Sequence, residues 1–402
     1  MVSLDIGSSK IKAAIAEVNY GEDIHILGIT TVDSQGLRKG NIIDIEAAAR
    51  SIDECLHKLE RMAGIEISSA VIGYSGSSIN TLNNRAVVAV GNPNYEIIPE
   101  DKSRVLQSAR NVALPLDRCV VQTIERQYII DGYDGVKDPV GMVGSRLEAE
   151  VTIIIAATAA IQNMQRCTGR IELQTDKLIY NPILAAEAVL LPAEREMGVA
   201  LVDIGGGTTD ITYFEGGNLL CASVLPVGGD YITRDLAIVL KTSLEHAAKI
   251  KENDGVAGPV QASDDHIISV HNLQGKEVRQ VSQQVIADII YARVAELMEM
   301  IYTELKQFNC LNKLPGGIVL TGGGAHLTGI DEIMEEYMDI TVRPGIPESL
   351  RGIQTDINRP EFATVIGGLI YSGKNIDISY DNKHGINSLF NKFNYWVREF
   401  FG

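Results

Sequence analysis

Apolar and polar positions divide the chain into short strands and medium-length helices that recur in one order. The opening VSLDIGSSKIKAAIAEV sets small and β-branched residues on both sides of a polar DIGSSK segment, which predicts strand, glycine turn, strand. VALVDIGGGTTDITYF, Val199 to Phe214, repeats the pattern, so that Asp5-Ile6-Gly7 aligns with Asp203-Ile204-Gly205 at an offset of 198. A further apolar run follows each copy, EDIHILGIT and GNLLCASVLPV. A repeat at half the chain length predicts two related α/β lobes.

Ile45 to Gly64 and Gln284 to Phe308 carry apolar residues at helical spacing. Tyr231 to Glu252 reads as one long helix or two. Asn181 to Leu191 reads as a helix opening at Pro182, where proline is tolerated. Leu147 to Thr158, small and β-branched, predicts a buried strand. Ile318 to Leu320 predicts a short strand entering TGGGAHLTG, followed by a helix to Tyr337. Lys251 to Gln274, rich in Gly, Pro, Asp and Asn, predicts a loop. Ser372 to Gly385 is polar and suits a linker.

The last segment, INSLFNKFNYWVREFF, has its own pattern. Ile386, Leu389, Phe390, Phe393, Trp396, Val397, Phe400 and Phe401 fall at helical steps and share one face, opposite Asn387, Asn391, Lys392, Asn394, Arg398 and Glu399. The chain has seven Phe and one Trp, and four of those Phe and the Trp lie here, so the stripe is not background composition. Such a helix would be about 24 Å long and polar on one side, so it would lie in a membrane interface rather than span it. Lys383, Lys392 and Arg398 would then face anionic headgroups. Burying the eight apolar side chains would contribute on the order of 10 kcal/mol gross, reduced by helix ordering. Docking on the chain's own core or in another protein's groove are the alternatives.

A length of 402 residues suits two domains or one large two-lobed fold. The formal net charge is −17, from 35 basic and 52 acidic residues. That charge repels nucleic acid, so no nucleic-acid partner is expected, and it confines any contact with an anionic membrane to a local basic segment. The five cysteines show no metal-ligand spacing and read as free thiols. Asp5 and Lys10 interrupt any apolar start, so no signal peptide is expected. No run of about twenty apolar residues predicts a transmembrane span.

The glycine segments carry the candidate chemistry. Glycine permits the close approach and the turns that aim several backbone N–H groups at a phosphate. DIGSSK offers Asp5, Gly7, Ser8, Ser9 and Lys10. DIGGGTTD offers Asp203, Gly205, Gly206, Gly207, Thr208, Thr209 and Asp210. The glycines of TGGGAHLTG, Gly322, Gly323 and Gly324, could pack flat against a base. Carboxylates beside such loops, Asp5 and Asp203, can hold Mg²⁺ through water. One loop alone would be a hairpin turn as readily as a phosphate site; two related loops and a third predict nucleotide binding.

The order of these loops resembles the actin, chaperone-ATPase and sugar-kinase superfamily, and ATVIGGL, Ala363 to Leu369, looks like its second inter-lobe helix. Between the loops the chain is similar to the bacterial division family FtsA. The similarity lies in Gly36 to Gly76, in DGYDGVKDPVGMVGSRLEAEV (Asp131 to Val151), in LPVGGDYITRDLA (Leu225 to Ala237) and in VRPGIPESLRGI (Val342 to Ile353). The resemblance implies an α/β, two-lobed actin-like fold. Residues 1–76 and 158–197, with 363–372 returning, would form the first lobe. Residues 77–157 would form an FtsA-type inserted subdomain, 198–225 and 307–362 the second lobe, and 226–306 its insertion. A linker over 373–385 would lead to a membrane-targeting amphipathic helix over 386–402.

The same resemblance implies ATP or ADP with Mg²⁺, the two hairpin loops clamping the phosphates and the third contacting adenosine. It adds Gly228, Gly229 and Lys251 to the nucleotide contacts. It also implies self-association into a filament, binding of the C-terminal peptide of the tubulin-like protein FtsZ, contact with the anionic inner membrane, and recruitment of other division proteins. Arg279 and Arg293 match basic positions of the family's partner-binding pattern; a solvated helical face is the equal alternative. Two departures bear on catalysis. Asn181 stands before Pro182, where chaperone-like members carry Glu, and Asn cannot act as a general base. Asp203 remains the candidate for positioning a water, so at most slow ATP hydrolysis is expected. Ala248 stands where relatives carry a Glu one turn before Lys251, leaving Glu245 as the candidate substitute. A PilM-type pilus scaffold and a metabolite kinase of the same superfamily are the rival readings. The tail disfavours the first, and the lack of a kinase-specific segment disfavours the second.

Overall fold

A computed structural model describes residues 1–18, 24–276, 278–348, 351–352 and 357–374. The first lobe opens with β1 (Val2–Ile6), β2 (Lys10–Val18) and β3 (Ile24–Asp33), then the short pair β4 (Leu37–Arg38) and β5 (Asn41–Ile42). Helix α1 (Ile45–Ala63) and β6 (Ser69–Tyr74) follow. The ends of α1 are local: the Asp44 side chain accepts the Ala47 N–H, and Gly64, at φ 69°, closes the helix by donating to Glu60 O. The chain then leaves through β7 (Asn80–Ala89), α2 (Pro99–Arg110), β8 (Arg118–Ile130), β9 (Tyr133–Val136) and β10 (Arg146–Ala157). It returns as α3 (Thr158–Arg170), β11 (Gln174–Tyr180), α4 (Asn181–Val189) and α5 (Pro192–Met197).

The second lobe begins with β12 (Val199–Ile204), β13 (Thr209–Glu215), β14 (Asn218–Leu225) and α6 (Gly229–Leu240). Next come α7 (Leu244–Asp254), the hairpin β15 (Ile267–His271) and β16 (Val278–Ser282), and the long α8 (Gln283–Gln307). The chain rejoins the lobe with β17 (Ile318–Thr321), α9 (Ile330–Met338) and β18 (Val342–Pro344). After β19 (Arg351–Gly352), a helix through residues 363–374, α10, packs back on the first lobe.

The two main sheets share one topology. The first runs β11-β6-β1-β2-β3-β19 and the second β14-β13-β12-β17-β18. In each, the glycine hairpin is antiparallel (β1 with β2, β12 with β13) and the next strand joins its first member in parallel (β6, β17). The internal repeat of the sequence is therefore a repeat of structure. Each lobe builds its own apolar core, and one face of β12–β14 merges with the first-lobe core through Leu201, Phe214 and Leu219.

The sheet of β7, β10, β8 and β9 stands apart from both lobes in the order of its strands. It leaves the first lobe in sequence but is stitched to the outer edge of β14 in the second. The Thr81 hydroxyl accepts the Ala222 N–H at 3.1 Å and lies 3.3 Å from Ala222 O, Asn83 donates to Leu220 O at 3.1 Å, and Thr152 donates to Leu219 O at 2.8 Å. Polar side chains thus cover the free backbone groups of an edge strand.

Two expectations change and one open alternative closes. Residues 251–274 are not a loop throughout: α7 runs to Asp254, and β15 pairs with β16 around a turn with Gly275 at φ 69°. Only Ile268 and Val270 of β15 are buried, too short an alternation to stand out among Gly, Asp and Asn. The helical stretch from Tyr231 is two helices, divided where Lys241 takes φ 51°. Helix α10 continues through 374, two residues into the expected linker. The rest of that linker and the whole apolar stripe from Ile386 to Phe401, with Lys392 and Arg398, lie outside the described residues. Among the described residues no helix is long and apolar enough to cross a membrane.

Candidate nucleotide cleft

A cavity of about 640 Å³ lies between the lobes, and its floor is built by the two glycine hairpins. Asp5 ends β1 opposite Lys12 on β2, and Asp203 ends β12 opposite Asp210 on β13, so Lys12 and Asp210 are structural counterparts. Lys12 Nζ lies 3.4 Å from Asp5 Oδ2 inside the cavity. Lys10 reaches the rim, is half exposed, and pairs with Asp33 at 2.5 Å. The loops touch across the cleft: a Cβ at Gly206 would collide with the Ser9 hydroxyl, and one at Gly207 would come within 2.7 Å of the Ser8 hydroxyl.

The carboxylates are crowded. Asp210 is buried, and burial, with Asp203 and Asp5 nearby, pushes its carboxyl up to about 7 against hydrogen bonds from Ser75 Oγ (2.5 Å) and Tyr180 OH (3.0 Å). Burial and Asp5 push Asp203 up to about 6, partly offset by Lys12. Asn181 Nδ2 donates to Asp5 Oδ1 at 3.1 Å, and its buried Oδ1 has no protein partner. Among the described residues no three acidic, His or Cys side chains converge as direct metal ligands.

The remaining candidates fall around this floor. Thr208 and Gly205 line the cavity, whereas Thr209 is buried beneath it and donates to Val227 O at 2.9 Å. Gly228 packs on the carbonyls of Gly205 and Gly206, and the Gly229 N–H is taken by Gly205 O at 2.9 Å. Lys251 Nζ donates to Gly229 O at 3.1 Å, and burial lowers its pKa although Asp230 lies nearby. Gly322 must be glycine: φ is 84° and a Cβ would strike Asp203 Oδ1. Gly324 lies flat on Ile204, and Gly323 faces open space. Glu245 does not substitute for the missing acid. It is exposed and pairs with Lys249 at 2.7 Å, while Glu252 lines the cavity. Arg293 of α8 pairs with Asp235 at 2.7 Å and with Glu296 at 2.5 Å, and Arg279 of β16 donates to Leu240 O.

Sequence reading passed over Lys12, Asn181 as a partner of Asp5, Ser75 and Tyr180 on Asp210, and the pair formed by His326 and Glu361 at the cleft wall. Lys12 had a usable signal: it sits at the repeat position of Asp210.

Duplicated lobes, facing glycine hairpins and a third glycine loop on the wall define a protein of actin-like fold. Solved structures share it. The PilM-PilN type IV pilus biogenesis complex matches with a TM-score of 0.67 at 18% identity, covering 92% of this chain and 98% of that one. MreB5 of Spiroplasma citri, bound to ADP, matches with a TM-score of 0.55 at 14% identity, covering 94% and 98%. The model of the family "cell division protein FtsA" matches residues 200–367, and that of the "SHS2 domain inserted in FTSA" matches 76–155. The cell division protein FtsA of Pseudomonas aeruginosa is 38% identical over 371 residues, 92% of this chain and 88% of its own length. This chain belongs to the FtsA family of bacterial cell division proteins.

Proposed function

We propose that the chain binds ATP or ADP with Mg²⁺ in this cleft, self-associates, and tethers the FtsZ filament to the inner face of the cytoplasmic membrane at the division site, where other division proteins join it. The observation that carries this reading is the pair of duplicated glycine hairpins closing on one carboxylate-lined cavity in a chain of the FtsA family. MreB5, of the same fold, is bound to ADP.

The all-oxygen donor set of Asp5, Asp203 and Asp210 fits a hard divalent cation held through water. Crowding raises the carboxyls of Asp203 and Asp210, although Lys12 partly offsets the first and hydrogen bonds from Ser75 and Tyr180 partly offset the second. Asp5 and Asp203 would hold Mg²⁺, which would neutralise phosphate charge. Lys12 stands to meet a phosphate directly.

Asn181 explains why turnover would be slow. Its Nδ2 positions Asp5, its Oδ1 is buried, and an amide cannot take a proton from a water. Asn181→Glu is expected to raise phosphate release from ATP–Mg²⁺ by at least about tenfold, within the range of a positioned general base. An unchanged rate would remove Asn181 as the reason.

The tail supplies membrane contact and Arg279 and Arg293 the basic groups for the partly acidic FtsZ peptide. A single amphipathic helix binds weakly, and a filament of many copies multiplies it. The test is pelleting with anionic liposomes and FtsZ, comparing the full chain with one ending at Gly385, each with and without ATP–Mg²⁺. The reading expects FtsZ to pellet only with the full chain, and more with nucleotide. Equal pelleting by both chains, or by neither, overturns the tether.

A further inference from the structure

The first glycine loop is held from outside by its two hydroxyls. Ser8 Oγ accepts the Gly40 N–H at 2.8 Å, which fixes the turn carrying Lys39, itself at φ 52°. Ser9 Oγ donates to the Asp230 carboxylate, 2.8 and 2.7 Å from its two oxygens, which ties the loop to the first turn of α6 in the other lobe. These two handles converge. Lys39 Nζ lies 5.7 Å from the centre of the Tyr231 ring, one residue beyond Asp230, and Arg234 and Arg293 lie 5.6 Å from the same ring. Asp230 lines the cavity; Lys39 and Tyr231 stand outside it.

A serine hydroxyl has one hydrogen to give. At Ser9 it goes to Asp230, and it cannot also go to a phosphate oxygen. A phosphate at that loop would face the negative charge of Asp230. It would also have to part Ser8 and Ser9 from Gly207 and Gly206, which they touch. The hydrogen, the charge and the space all set a phosphate against the same contacts. We infer that Ser9–Asp230 and Lys39–Tyr231 form an inter-lobe clasp that competes with nucleotide phosphate for the first loop and holds the cleft in a low-affinity form. The inference rests on the nucleotide reading above. When only an open fraction binds, the apparent dissociation constant is the intrinsic one divided by that fraction. Weakening either contact therefore tightens nucleotide binding, although one of them lies outside the cavity.

Calorimetric titration of the full chain with ADP–Mg²⁺ tests this, in wild type, Asp230→Ala, Tyr231→Leu and Lys39→Gln. Asp230→Ala is expected to bind about tenfold more tightly, the scale of one hydrogen bond to a charged group. Tyr231→Leu and Lys39→Gln are each expected to bind about threefold more tightly, the scale of one exposed cation–π contact. Without nucleotide, amide exchange over residues 36–42 and 226–232 should be faster in all three variants. Exchange elsewhere unchanged from wild type shows that a variant is folded, and Lys39→Gln stands in should Tyr231→Leu unfold. If wild type binds ADP and neither Tyr231→Leu nor Lys39→Gln binds more tightly, the clasp is overturned while the nucleotide reading stands. A gain in Asp230→Ala alone has that same meaning, because it is local relief of charge. If wild type and every variant fail to bind, the nucleotide reading falls and the clasp falls with it.

Discussion

Asp210→Asn is expected to stabilise the protein without nucleotide, and its advantage should grow by about 2 kcal/mol between pH 5.5 and pH 8. The cause is burial of an acid beside two others. Its folded carboxyl titrates near 7 rather than at the ordinary 3.8, so the native state keeps a proton that the unfolded chain releases. Stability contributed by that proton is fully present below about pH 4. It is lost progressively as pH rises through 7, where the native state must hold a buried charge. Asparagine stays neutral throughout and can still accept from Ser75 and Tyr180. Urea unfolding of both proteins at the two pH values checks this. A pH-independent difference would show that Asp210 is not protonated in the native state. Adding ATP–Mg²⁺ at pH 8 should narrow the gap, because a cation beside Asp203 and Asp5 favours the ionised acid.

Gly367→Ala is expected to cost about 3 kcal/mol, the upper range for forcing atoms into a packed interior. Helix α10 crosses α4 so closely that a Cβ at Gly367 would strike the Leu184 carbonyl oxygen, and the next atoms in line are Leu184 C and Ala185 N. All three are backbone inside a helix, so no rotamer change relieves the clash. Gly373→Ala is the control: there a Cβ meets only the Ile24 side chain, at 3.2 Å. Denaturant unfolding of both variants checks the pair. A loss under about 1 kcal/mol at Gly367 would mean that the crossing can widen, and the close approach of α4 and α10 would then carry no strain.

Much of this architecture was legible along the chain because its causes are local. The DIG repeat predicted two hairpins because a glycine turn between β-branched runs is settled within a dozen residues, and both appear where expected, at β1–β2 and β12–β13. Helix α1 was readable end to end, since Asp44, the apolar spacing and Gly64 act within one or two turns. The hairpin β15–β16 was not, because only two of its residues are buried, and composition spoke for a loop.

The sequence by itself therefore determined that two related α/β lobes each carry a glycine hairpin with an acid at its strand end. Tertiary structure alone decided which groups complete the cleft. Asn181 reaches Asp5 across 176 residues, Ser75 reaches Asp210 across 135, and Ser9 reaches Asp230 across 221. It also decided that Lys12 meets Asp5 inside the cavity while Lys10 stays at its rim with Asp33, although β-strand alternation sends both to one face. Hydrophobic period and turn chemistry act over a few residues and leave a mark in the order of amino acids. The pairing of one lobe's hydroxyls with the other lobe's carboxylates depends on how two folded sheets close on each other, and no local pattern records that distance.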